Sequence, residues 1–205
     1  MFNKILRKLG LKSFSSKSYW EERYQAGGNS GNGSYNELAD FKAKVINDFV
    51  EKHNINTVVE YGCGDGNQLL LSNYKNYIGF DVSAKAVEIC REKFLGDSSK
   101  KFLLVDEYSG QKADLTLSLD VIYHLIEDGV FNNYMQRLFD SSNNFVIIYS
   151  SNKEENPEVG HVKHRLFTKW VSDNVGFELV EKIDNIHPYE SGGSFADFYI
   201  FKKMK

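Results

Sequence analysis

The amino-acid sequence predicts an α/β fold: a mostly parallel sheet of seven strands, covered by helices on both faces, in one folded domain. Three observations predict it. Short β-branched and aromatic runs alternate with segments of helical periodicity, the pattern of successive strand–helix–strand crossovers. The 205 residues are 41% hydrophobic and 26% charged, close to globular composition, and a chain of that length buries one core without disulfide or metal staples. Finally, the strand-like run Val58-Val59-Glu60-Tyr61 leads directly into Gly62-Cys63-Gly64-Asp65-Gly66, as a buried strand does where the backbone must turn sharply and let a ligand approach.

Taken in order, residues 19–24 read as a short helix. Residues 27–34, rich in Gly, Asn and Ser, read as a loop and a candidate lid. Leu38, Phe41, Val45, Ile46, Phe49 and Val50 recur at helical spacing, so a helix over 36–52 should lay one face on the core. Strands follow at 57–61 and 77–80, with a short helix at 68–71 between them. Ser83 is a natural N-cap for a helix running to about residue 94. Strands at 102–105 and 115–119, a helix at 131–139 and a strand at 145–149 complete the alternation. After a polar loop over 150–162 come a helix at 167–174 and strands at 178–184 and 195–201. Such crossovers are right-handed, and ligands bind beyond the carboxyl ends of the strands where the strand order reverses. The site should lie there.

The formal charge of −3 lacks the global attraction on which non-specific nucleic-acid binders rely, so no nucleic-acid partner is expected. Cys63 and Cys90 form no CxxC pair, and no His cluster stands at zinc spacing. That pattern predicts neither a disulfide framework nor a metal and fits a reducing cytoplasm. No apolar run approaches the roughly 20 residues that span a bilayer, and the start lacks the apolar stretch of a secretory signal. Residues 1–18 form a separate basic segment, with Phe2, Ile5, Leu6 and Leu9 at helical spacing among Lys4, Arg7, Lys8 and Lys12. Two readings fit it: a helix in weak contact with the inner face of a membrane, or a solvated or partner-packed terminal helix, since isolated helices this short are marginal. The folded domain is assigned to residues 19–205.

The glycine turn gains meaning from Asp81, which ends the next strand in Tyr77-Ile78-Gly79-Phe80-Asp81-Val82. About 20 residues past the glycines, an acid at a strand end accepts hydrogen bonds from ribose hydroxyls. The dinucleotide fingerprint G-x-G-x-x-G would need glycine where Asn67 stands, which weakens a pyrophosphate reading. The pattern Glu60-x-Gly-x-Gly-x-Gly instead resembles the first motif of class I S-adenosylmethionine (SAM) methyltransferases, and Asp81 matches their acidic second motif. The resemblance covers about residues 20–201. It implies a Rossmann-like seven-stranded sheet whose last strand is antiparallel, with SAM as cofactor; the clustered acids and Asn that metal-dependent catechol-type enzymes carry around the fourth and fifth strands are not recognisable, so no metal is expected. It also implies roles. Glu60 would face the methionine end, where ammonium and sulfonium charges favour a carboxylate. Gly62, Cys63 and Gly64 would pass beneath the cofactor, Asp81 would hold the ribose, and Val82 would lie beside the adenine. Asp106 and Glu107, after the third strand, would stand near the adenine amino group, although Asp106 reads equally as an ordinary strand-end acid. Leu119 and Asp120, ending the fourth strand, would flank cofactor and acceptor, with Asp120 equally readable as a turn cap. Tyr24, with Tyr19, Trp20, Arg23 and Tyr35, would close over the cofactor, and packing onto the core is the favoured reading of Trp20.

Ser118-Leu119-Asp120-Val121-Ile122-Tyr123-His124-Leu125 lacks the Asn/Asp-Pro-Pro-aromatic motif of base-amino methyltransferases. Together with Val146-Ile147-Ile148-Tyr149-Ser150-Ser151 and His161-Val162-Lys163-His164-Arg165 it looks like a bacterial small-molecule subgroup linked to capsule and surface-polysaccharide synthesis, including O-methyl phosphoramidate and methylated sugars. A neutral hydroxyl acceptor wants a general base, commonly worth about 10²–10⁴-fold. His124 is the first candidate for base or acceptor orienter, and reads equally as a structural histidine. His161, His164 and Arg165 suit an anionic acceptor, because Arg forks onto phosphate or carboxylate; a solvated basic loop also accounts for them. His187 and Tyr189 are weaker pocket candidates, and Asp197 reads as structural. The expected partner is a small molecule or activated glycan. Three other functions stay open: nitrogen methylation, a nucleotide-binding oxidoreductase or epimerase, and a non-catalytic scaffold.

Overall fold

The computed structural model describes residues 14–155 and 160–205, so most of the basic N-terminal segment lies outside the described residues. The first helix, α1 (Ser16–Gln25), starts three residues before the expected one, because the Ser15 hydroxyl caps it by accepting from the Ser18 N–H at 3.3 Å. The second, α2 (Asn36–Lys52), has the expected bounds and buries Leu38, Ala39, Ala43, Ile46 and Phe49 along one stripe. Then come β1 (Thr57–Tyr61), β2 (Asn76–Asp81), α3 (Ala84–Lys93), β3 (Lys100–Leu104), β4 (Ala113–Leu119), α4 (Asp128–Asp140), β5 (Ser142–Ser150), α5 (Phe167–Asn174), β6 (Phe177–Ile183) and β7 (Asp197–Lys203). Ser83 caps α3 as its sequence position suggests, accepting from the Ala86 N–H at 3.1 Å. The third strand ends one residue early, since Val105 turns into a short 3₁₀ helix with Asp106 and Glu107.

The seven strands lie in the order β3-β2-β1-β4-β5-β7-β6. The first five in sequence are parallel, and β7 runs antiparallel between β5 and β6, as expected for the last strand. Strand order reverses between β1 and β4, so the carboxyl ends of these two strands open the crevice in which α/β sheets bind ligands. Period-two alternation divides the core between the faces. From β5, Ile147 and Tyr149 join Ile46, Phe49, Leu115 and Phe198 on one face; Val146 and Ile148 join Phe131, Leu138, Phe139 and Phe167 on the other. Among the described residues no helix is long and apolar enough to cross a membrane.

Candidate functional site

A cleft lies over the carboxyl ends of β1, β2 and β4, roofed by α1 and the loop that follows it. Its floor is the turn after β1. Gly62 has φ +83° and Gly64 φ +57°, a region that side-chain-bearing residues populate at a cost. A Cβ on Gly62 would also overlap the Val121 side chain, and one on Gly64 the Ser30 hydroxyl. Glycine is therefore required here by conformation and by contact.

Two buried carboxyls meet at this floor. The Tyr77 hydroxyl donates to Glu60 Oε2 at 2.6 Å. Burial pushes the Glu60 carboxyl up to about 7, against the opposing pull of that hydrogen bond and of the Lys42 charge. Asp81 Oδ2 accepts from the Gly64 N–H and Oδ1 from the Ser83 N–H, both at 2.9 Å, yet burial still lifts its carboxyl to about 6. One acid thus binds the glycine turn to the start of α3, and any hydroxyl reaching Asp81 meets a carboxylate already held in place.

The roof is latched to the same turn. Asp65 Oδ2 accepts from the Ser30 N–H at 3.0 Å and from the Tyr35 hydroxyl at 2.7 Å, and the Ser30 hydroxyl accepts from the Asp65 N–H at 3.0 Å. Tyr24 lines the cleft beside them, its hydroxyl 2.9 Å from that of Ser30. The α1 end is fastened by Glu127, which accepts from the N–H and hydroxyl of Ser16. Trp20 lines the cleft and packs edge-on to His124, ring centroids 5.1 Å apart.

Of the residues singled out in the sequence, Tyr24, Glu60, Gly62, Cys63, Gly64, Asp81, Val82, Leu119, Asp120 and His124 all line this cleft. Asp120 is already engaged: its carboxylate pairs with Lys42 Nζ at 2.6 Å and accepts from the Tyr123 hydroxyl at 2.8 Å. Asp106 and Glu107 are not in the lining. Asp106 faces solvent and pairs with Lys17, and Glu107 folds back to accept from the Leu104 N–H; Val105 is the residue of that turn that reaches the cleft.

The histidine and arginine cluster after β5 divides. His161 stacks between Tyr19 and His124, at 5.3 and 5.6 Å. His164 and Arg165 are not in the cleft lining. The buried His164 ring bonds the Ser151 hydroxyl at 2.6 Å. Arg165 donates to the carbonyls of Leu125 and Ile126 and pairs with Asp128, so its guanidinium holds the loop after β4 instead of facing a ligand. His187 lies 3.7 Å from Glu37, Tyr189 is exposed, and Asp197 pairs with Lys182.

His124 differs from the other histidines. A carbonyl only accepts, so the 3.0 Å contact of His124 Nδ1 with the His161 carbonyl fixes the proton on Nδ1 and leaves Nε2 as the basic nitrogen. Burial lowers the ring to about 4, so it is neutral near pH 7.

The cleft residues that the sequence does not single out include Lys42, Tyr134 and Gln68. Lys42 is fully buried on α2, and the available signal was a lysine on the apolar stripe of Leu38, Ala39, Ala43 and Ile46. Tyr134 of α4 reaches over to donate to the Tyr61 carbonyl at 2.9 Å. Gln68 donates through Nε2 to the Ala39 carbonyl, but its buried Oε1 has no partner among the described residues. An α-ammonium at this end of the cleft would supply the missing donor, so the residues present fit the amino-acid end of SAM as well as its ribose.

No protein-family model and no curated protein matches this chain. Solved structures do match it. The N-methyltransferase NodS of Bradyrhizobium japonicum WM9, in complex with S-adenosyl-L-homocysteine (SAH), aligns over 94% of this chain and 100% of its own with 13% identity and a TM-score of 0.74. Magnesium protoporphyrin IX methyltransferase of Synechocystis PCC 6803, with bound SAH, aligns over 92% and 98% with 16% identity and a TM-score of 0.69. The methyltransferase domain of bacterial CtHen1 aligns over 82% and 100% with 19% identity and a TM-score of 0.66. At these identities the likeness is one of fold.

Proposed function

We propose that this chain is a SAM-dependent methyltransferase that moves a methyl group onto an oxygen of a small acceptor, a sugar nucleotide or phosphoramidate of a surface-polysaccharide pathway, by in-line displacement. The observation that carries the reading is the joint presence, in the lining of one roofed cleft, of the Gly62 and Gly64 turn, Asp81 at the second strand end, Glu60 and the unpartnered Gln68 oxygen. Fold neighbours described with SAH bound support it.

When bound, SAM supplies a methyl carbon on a sulfonium that is already a good leaving group. The protein's work is then alignment and exclusion of water. Asp81 would accept from the ribose hydroxyls and Glu60 and Gln68 would hold the ammonium end, beneath the roof fastened by Asp65 and Glu127. His124 Nε2 accepts from the acceptor hydroxyl and orients its oxygen toward the methyl carbon. With a ring near 4, His124 is a weak base that takes the proton late, as the methyl bond forms.

Two expected results follow. Ligand ammonium and sulfonium charges favour the ionised form of Glu60, so binding expels a proton and affinity rises with pH. With the carboxyl at about 7, SAM should bind roughly tenfold more tightly at pH 8 than at pH 6, where only about a tenth of Glu60 is ionised. Calorimetry in buffers of different ionisation enthalpy measures the released proton, and Glu60→Gln should remove most of the rise, leaving the smaller share due to Asp81 at about 6; a flat wild-type profile would contradict the role of Glu60.

The oxygen reading is tested by transfer of labelled methyl from SAM to a panel of sugar nucleotides and phosphoramidates. His124→Ala should lower kcat by about 10²-fold with SAH affinity unchanged. Cofactor binding with transfer only to amines would overturn the oxygen acceptor, and equal kcat in the variant would remove His124 from the reaction.

A further inference from the structure

We infer that the acceptor carries a small oxyanion, phosphate or carboxylate, held beside the cleft by Arg23, which packs on the cleft residue Trp20, together with His161, which packs on the cleft residue His124. The inference rests on the methyltransferase reading, since it assigns the part of the substrate that stays outside the reacting centre.

A count of cations leads to it. Lys17 is paired with Asp106 and Lys42 with Asp120. Beyond the cleft, Lys163 and Arg165 share Asp128, whose carboxyl their hydrogen bonds hold down at about 2. Arg23 differs from all of these. Among the described residues it makes no ion pair, and its hydrogen bonds go to the carbonyl of Asn29 at 2.6 Å and, at the 3.5 Å limit, to the Asn29 side chain. A guanidinium has five N–H donors, so both donors of Nη1 and one of Nη2 are left for a ligand. The same contacts fix the fork in place, and its carbon lies 5.5 Å from the centre of the Trp20 ring. A planar fork already ordered by a carbonyl and an aromatic ring loses little freedom when it takes an oxyanion.

The helix brings a second donor beside it. Tyr19 and Arg23 are four residues apart and share one face of α1, and Tyr19 stacks on His161 at 5.3 Å. The ring nitrogens of His161 make no hydrogen bond among the described residues. Burial first, and the Arg23 charge second, lower the His161 ring. Near pH 7 it is therefore neutral and offers one N–H. His161 in turn stacks on His124, whose Nδ1 donates to the His161 carbonyl. The anion site thus adjoins the residue that orients the acceptor oxygen. An anion held here would place the remainder of the molecule at His124, and its charge would offset that of Arg23. The bland role of Arg23, fastening Asn29 in the roof, uses only part of its donor set.

The experiment uses the full chain saturated with SAH and carrying Trp170→Phe, so that Trp20 is the single fluorescent tryptophan. Inorganic phosphate, acetate and uncharged glycerol are titrated at constant ionic strength. Phosphate or acetate should change Trp20 fluorescence saturably and glycerol should not, the stronger of the two anions giving the acceptor's anionic group. Arg23→Gln should weaken the anion about tenfold or more and His161→Gln by less, each measured at its own saturating SAH concentration. Lys44→Gln, an exposed change on α2 whose charge pairs with Asp48, should bind the anion as the parent does. No saturable anion response in the SAH-loaded parent, or equal anion affinity in Arg23→Gln, overturns the inference. Failure of SAH itself to bind overturns the methyltransferase reading instead.

Discussion

Replacing Lys42 by methionine should cost about 3 kcal/mol of folding stability, the low end of what is lost when one partner of a buried ion pair is removed. The ammonium of Lys42 is fully excluded from solvent, and the Asp120 carboxylate that it meets at 2.6 Å is 14% exposed. Without Lys42, Asp120 would keep only the Tyr123 hydroxyl, and its charge would stay at the end of β4 largely desolvated. Asp120 also has φ +60°, a conformation costing of order 1 kcal/mol or more that persists only where surroundings enforce it. Urea unfolding measures the effect: the midpoint should fall with an unchanged slope. The double variant Lys42→Met with Asp120→Asn should recover part of the loss, since it removes the stranded charge. A single variant as stable as the parent would mean that the pair contributes nothing net.

Asp81→Ala should abolish measurable SAM binding. Two hydrogen bonds from ribose hydroxyls to a carboxylate, each worth about 1.5–3 kcal/mol, amount to an affinity loss of roughly 10²–10⁴-fold. The same substitution frees the Gly64 and Ser83 N–H groups that the carboxylate now holds. The Ser83 cap of α3 is independent of Asp81, so the fold should survive, as far-ultraviolet circular dichroism would check. Retained SAM affinity in a folded Asp81→Ala protein would exclude Asp81 as the ribose acid.

The fold was legible because its signals are local and repeated. The α2 stripe, the β1 run into the glycine turn and the Ser83 cap are each written in a few adjacent residues. Element ends were less legible: whether Val105 continues a strand or turns depends on Glu107 folding back to the Leu104 N–H, a choice that propensity does not show. The floor of the cleft was legible for a related reason, since glycine spacing and a strand-end acid encode backbone geometry. The loop chemistry was not. His161, His164 and Arg165 stand within five residues, yet the chain sends the first to stack on His124 and the other two to Ser151 and Asp128. Only the three-dimensional partners distinguish a guanidinium spent on carbonyls and a carboxylate from one left with free donors. Lys42 was hidden for the opposite reason: its place on the apolar stripe hinted at burial, but the acid that makes burial tolerable lies 78 residues away.

The most direct test of the central claim is calorimetric titration of the purified chain with SAM, SAH and NADH, repeated on Asp81→Ala. The account predicts micromolar binding of both sulfur ligands, about −8 kcal/mol, no heat with NADH, and loss of binding in the variant. Binding of NADH, or no binding of SAM and SAH to the folded parent, would contradict it.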